Sequence, residues 1–184
     1  MSKRTISRLL ICFIGSLLVV KGYAQTYTTS NGHAEFHAKA SLNSYTGKSD
    51  QLKGTINVAE KTVRFSVPFQ SIDTGIKKRN KHMQELIETD KYPDAAFEGK
   101  IISEFDINKK ESQKVTVKGN FTMHGATKEI TVEGTLTGIG DRLTVEADWN
   151  VLITDYNITP PKKLGNKVQD EHTIRIKADL EKSN

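Results

Sequence analysis

The sequence predicts an all-β fold: eight antiparallel strands, closed into a barrel or packed as a sandwich, with one short helix in the connection 70–94. Three observations lead there. Apolar residues alternate with polar ones in eight separate runs, the period of a strand with one buried face. The two longest breaks between runs, 70–94 and 154–173, are the third and seventh connections, so up-and-down strands would place both at one end. Finally, about 160 residues remain behind an N-terminal leader, a length that suits one domain with a core of its own.

The leader comes first. Lys3, Arg4 and Arg8 precede an apolar run from Leu9 to Val20, followed by Lys21 and by Gly22-Tyr23-Ala24 before Gln25. A charged start, a short apolar run and small residues three and one before a cut are the parts of a secretory signal peptide. The run is too short to span a bilayer, which takes about 20 residues. Cleavage after Ala24 is expected, dividing the chain into a 1–24 signal peptide and one 25–184 domain. Four cations and no anions leave with the leader, so 27 Lys+Arg against 22 Asp+Glu becomes 23 against 22, a net charge of +1. Such a balance gives no support for nucleic acid as a partner. The single Cys, Cys12, leaves too, which excludes disulfides, a thiol nucleophile and cysteine-held metals from the mature chain.

The strands follow in order. Their inward sets are Ala34, Phe36, Ala38, Ala40, Leu42; Leu52, Gly54, Ile56, Val58; Val63, Phe65, Val67, Phe69; and Ala95, Phe97, Gly99, Ile101. The later four are Val115, Val117, Gly119, Phe121, Met123; Ile130, Val132, Gly134, Leu136; Leu143, Val145, Ala147, Trp149, Val151, Ile153; and Ile174, Ile176, Ala178, Leu180. Ten of these 36 positions are Gly or Ala. Two readings account for that: a barrel with room for one small ligand, near the size at which eight strands allow it, or glycines placed at bulges and sharp bends.

Within 70–94, Met83, Leu86 and Ile87 stand at helical spacing, with Asp73 or Asn80 able to cap the start and Asp90-Lys91-Tyr92-Pro93 to stop it. Lys77, Lys78, Arg79, Lys81 and His82 crowd the beginning of this helix, where cations are unfavourable. They are therefore candidates for meeting an anionic head group or a membrane surface, with Lys162, Lys163 and Lys167 across the rim.

Reactive chemistry is absent from the pattern. His33 and His37, four apart on a strand, stand about 13 Å apart, too far to share a metal. His124 sits in the turn Met123-His124-Gly125. No metal motif, G-x-S-x-G elbow, cofactor loop or activated nucleophile occurs, so no catalytic residue, metal or cofactor is assigned.

Several blocks resemble a known family. Ser71-Ile72-Asp73-Thr74-Gly75, Arg79-Asn80-Lys81-His82-Met83, Lys91-Tyr92-Pro93 and Phe97 are similar to the S-I-x-T-G … R-D-x-H-L … Y-P-x-x-x-F signature of the YceI-like, polyisoprenoid-binding family. Asn120 to Lys128 resembles its G-x-L-T-L-H-G-V-T-K block. Asn80 stands where the family carries an acid and Met83 where it carries Leu. Ile153-Thr154-Asp155-Tyr156-Asn157-Ile158 replaces R-x-D-F-G-I. The resemblance implies an eight-stranded, lipocalin-like barrel, exported to the bacterial periplasm or beyond, that binds an isoprenoid or other long-chain lipid without catalysis. Candidate lumen residues are Phe36, Phe65, Phe69, Phe97, Phe121, Met123 and Trp149, with Met83, Leu86 and Ile87 closing the mouth.

Overall fold

Alternation at a period of two commits each strand to one wet and one apolar face, and eight such strands can hide every apolar face only by curling together. In the computed structural model, which describes residues 25–163 and 165–183, they do so. The strands are β1 (Thr26–Ala40), β2 (Ser44–Asn57), β3 (Thr62–Pro68), β4 (Asp94–Ile101), β5 (Gln113–Met123), β6 (Ala126–Ile139), β7 (Arg142–Leu152), β8 (Lys162–Lys163) and β9 (Asn166–Lys182). Neighbours pair antiparallel in the order β1-β2-β3-β4-β5-β6-β7-β9, and β9 pairs back with β1, closing an eight-stranded antiparallel barrel. The short β8 pairs only with the start of β9. The expected signal peptide, 1–24, lies outside the described residues.

The helix α1 (Lys77–Ile87) occupies the expected connection. Its boundaries have other causes than those expected. Ile76 is the N-cap and makes no side-chain cap bond, while Glu88, in the left-handed conformation at φ 52°, ends the helix before Pro93 is reached. Asp73 and Asn80 fasten the preceding turn instead. Asn80 Nδ2 donates to Asp73 Oδ1 at 2.7 Å, and Asn80 Oδ1 accepts from the Thr74 amide at 2.9 Å.

Three assignments at strand ends are corrected. Leu42, expected inward, is 79% exposed in the β1–β2 turn. Phe69 and Ile153 are buried as expected, but in short 3-10 turns, Phe69–Ser71 and Ile153–Tyr156, rather than in strands. Strand β1 also starts eight residues before Ala34. Register shifts at Thr29/Gly32 and Gly32/Ala34 break its alternation, so that Tyr27 is buried out of phase with Ala34 and Ala38.

The expected two-ended layout holds. One end carries the 41–43 turn, α1 with its flanking turns, the His124-Gly125 hairpin turn and the 153–163 segment. The other is closed by deep packing of Tyr27, Ile56, Leu136, Leu143 and Leu180, each at most 1% exposed. The 102–112 loop folds against this closed end, with Phe105 and Ile107 packed on the core.

Candidate functional site: the barrel lumen and its mouth

The inward faces converge on an interior that is not packed solid. They line a cavity of about 860 Å³, in the upper part of the roughly 300–1,000 Å³ range of ligand pockets. All ten residues expected at the lumen and its mouth line it: Phe36, Phe65, Phe69, Met83, Leu86, Ile87, Phe97, Phe121, Met123 and Trp149. Toward the closed end the wall is aliphatic, with Leu52, Ile56, Val132 and Leu136. Toward the mouth it becomes aromatic and then polar.

The small inward residues serve the wall more than the space. A side-chain carbon added at Gly47 would fall 2.2 Å from the Phe36 ring, and one at Gly54 would fall 2.3 Å from Phe65. These glycines are sockets for aromatic rings. At Gly119 the added carbon would lie 2.3 Å from the Glu98 carbonyl oxygen, and at Gly99 2.6 Å from that of Lys118. Gly134 likewise faces the Glu146 carbonyl oxygen at 2.7 Å. Here the strands approach too closely for any side chain, as the bend reading holds. The cavity and the glycines are both real, but the second does not create the first.

The mouth is fastened at both ends of α1. On one side Asp73 bridges to Lys48 of β2 through paired backbone bonds, 2.9 and 2.8 Å. Hydrogen bonds from Asn80 and the Gly75 amide also hold the Asp73 carboxyl below its usual pKa. On the other side His124 Nε2 lies 3.1 Å from Glu88 Oε2 and its Nδ1 3.0 Å from the Tyr156 carbonyl oxygen, with the ring edge-on to Tyr92. His124 and Gly125 both have positive φ, 50° and 74°, the geometry of a tight two-residue hairpin turn. His124 is thus a strut for the mouth. Between the two ties, Met83 and Ile87 face the lumen.

The cations divide into two groups. Arg79 lines the cavity with its guanidinium 4.5 Å over the Tyr45 ring, a favourable cation–π contact, and His82 also borders the cavity. Lys77, Lys78 and Lys81 are exposed outside it, Lys81 within 3.9 Å of Glu85. Lys162 lines the opposite rim and pairs in the β8–β9 hairpin with Lys167.

Sequence reasoning passed over Tyr45 and His172 on this wall. Tyr45, Gly47 and Ser49 run out of phase with Leu52, Gly54 and Ile56, so β2 reads as a strand only beyond its irregular pairing with β1. His172 lies among polar residues at the mouth end of β9, stacked on Phe36 at 5.9 Å, while Trp149 meets Phe121 edge-on at 5.7 Å. Burial pushes the His172 imidazole below its ordinary pKa. His172 Nε2 and Trp149 Nε1 are both buried without a hydrogen-bond partner in the protein. Unsatisfied groups of this kind cost about 1–3 kcal/mol each. Among the described residues no three of His, Cys, Asp and Glu gather to hold a metal ion.

Comparison with known proteins gives a consistent outcome. The family model described as YceI-like domain matches residues 26–180. A UPF0312 protein of Yersinia enterocolitica is 34% identical over 111 residues, 56% of this chain and 55% of its own. Protein YceI of Salmonella arizonae is 32% identical over 119 residues, 58% of this chain and 59% of its own. The chain thus spans somewhat over half the length of these curated relatives. Among solved structures, a polyisoprenoid binding domain from Saccharophagus degradans superposes with a TM-score of 0.73 at 17% identity, over 87% of this chain and 99% of its own. BcnA of Burkholderia cenocepacia superposes with 0.67 at 18%, over 81% and 95%. At these identities the superpositions establish the fold.

Proposed function

Since this chain belongs to the YceI-like domain family, we propose that it is a non-catalytic, exported lipid-binding protein whose lumen sequesters or carries one amphiphile with a polyisoprenoid-type tail, an isoprenoid quinone or polyprenyl lipid. The observation that carries this reading is the apolar cavity of about 860 Å³, open at the barrel's single elaborated end. Its aliphatic floor suits a tail, and burial of apolar surface contributes about 25 cal/mol per Å², so a long chain binds without many polar contacts. The Saccharophagus degradans relative in fold is described as a polyisoprenoid binding domain, which accords with the proposal.

The leader, with cleavage near Ala24, supports export to the periplasm or medium. Loading and delivery then occur at a membrane surface. Leu42 and Ile76, 79% and 49% exposed, lie at the mouth end, and the exposed Lys77 and Lys78 directly follow Ile76, an arrangement suited to brief contact with anionic lipid. The test is extraction of the purified protein with organic solvent followed by mass spectrometry. A co-purifying lipid with a long apolar tail is the expected result. Repeated absence of lipid, together with no uptake of quinones or polyprenyl compounds, would overturn the proposal.

A further inference from the structure

The reading above leaves the head of the ligand unspecified, and two buried nitrogens near the mouth bear on it. Trp149 stands opposite Ile174 and Val151 opposite His172 in the β7–β9 ladder. Trp149 and His172 are therefore diagonal neighbours on the inward face, about 7–8 Å apart along the backbone. Both residues line the cavity, yet Trp149 Nε1 and His172 Nε2 find no partner in the protein. The surrounding wall is apolar, with Phe36 stacked on His172 and Phe121 against Trp149.

The two nitrogens ask for different things. An indole Nε1 can only donate. His172 Nε2 donates in one neutral tautomer and accepts in the other. A hydroxyl group, which both donates and accepts, satisfies the two nitrogens together in either case.

We propose that Trp149 Nε1 and His172 Nε2 form the polar subsite of the lumen and receive an uncharged, hydroxyl-bearing head group, an alcohol or a phenol. An oxygen lone pair of the head group accepts from Trp149 Nε1, and the same hydroxyl donates to or accepts from His172 Nε2. A diphosphate brings charge against an aromatic wall. Both nitrogens are covered in this conformation, so the head group reaches them as neighbouring side chains turn aside.

This inference rests on the lumen holding a tail, and three ligands with one C20 prenyl tail separate the two ideas: the hydrocarbon, the alcohol and the diphosphate. Calorimetric titration of the mature protein is expected to give binding of all of them, with the alcohol about tenfold tighter than the hydrocarbon and tighter than the diphosphate. His172→Phe and Trp149→Phe should each erase most of the alcohol's advantage over the hydrocarbon, read as the ratio of the two affinities within each variant, with a far-UV circular dichroism spectrum like that of the unaltered protein showing that the variants fold. Trp149 is the only tryptophan, so in the unaltered protein its single indole N–H resonance should move downfield with the alcohol and not with the hydrocarbon. Equal binding of alcohol and hydrocarbon, an unmoved indole resonance, or a preference for the diphosphate overturns the subsite and leaves the tail reading standing. No binding of any of the three removes both.

Discussion

His124 Nε2 and Glu88 Oε2 meet at 3.1 Å across 36 residues of sequence, and both residues have left-handed backbone conformations. The contact joins the cap that ends α1 to the turn between β5 and β6. The helix, a lid over the lumen, is thereby tied to the barrel at its C-terminal end.

Replacing His124 by Asn, which tolerates positive φ, removes the strut while preserving the turn. The expected cost is about 1–2 kcal/mol in urea unfolding, accompanied by faster release of a bound lipid as the lid loosens. Stopped-flow release at the wild-type rate would contradict the strut role.

Gly119→Ala sets a side-chain carbon 2.3 Å from the Glu98 carbonyl oxygen and 2.5 Å from Gly99 Cα, both backbone atoms of β4. It should destabilise by about 1–3 kcal/mol or prevent folding. Gly54→Ala meets the Phe65 ring, which can turn, and should cost less. Equal midpoints for the two variants in urea would refute the distinction between backbone approach and ring socket.

His172 carries a sign that can be checked. Burial lowers its pKa in the folded protein below the 6.5 of the free side chain, outweighing the opposite influence of Asp170 and reinforced by His37. As pH falls, the unfolded chain takes up the proton first, so this group favours folding above 6.5 and loses that advantage as pH drops through its folded value. The melting temperature of His172→Phe should fall less between about pH 7.5 and pH 5 than that of the unaltered protein. Parallel declines would show that His172 does not titrate as described.

Lys77→Glu with Lys78→Glu should abolish sedimentation with vesicles of anionic lipid at low salt, while uptake of a soluble short-chain ligand continues. Both side chains are exposed, and each basic group near an anionic surface contributes about 1 kcal/mol. Undiminished sedimentation would assign membrane contact to another surface or to none.

Much of this was legible in the sequence, and the exceptions have physical causes. Strands β3 to β7 announce themselves because pairing along them is regular, so each inward residue keeps its parity. In β1 and β2 the irregular pairing around Thr29, Gly32 and Ala34 resets parity, hiding Tyr27 and Tyr45. Leu42 was misplaced because a turn residue can continue an alternating pattern by chance. Tyr156 and Ile158, both buried, lie at the end of and just after a 3-10 turn, where no period applies. The ten lumen side chains were readable from inward parity and helical spacing, whereas the unpartnered nitrogens of Trp149 and His172 depend on packing across β7 and β9, which no local pattern records.

The central claim is that the lumen holds a single long apolar tail. It is tested most directly by titrating delipidated protein with a polyprenyl alcohol and following the emission of Trp149, the only tryptophan, on the cavity wall. The account requires a spectral shift that saturates at one ligand per chain. A flat response, or one that rises without saturation as lipid is added, would contradict it.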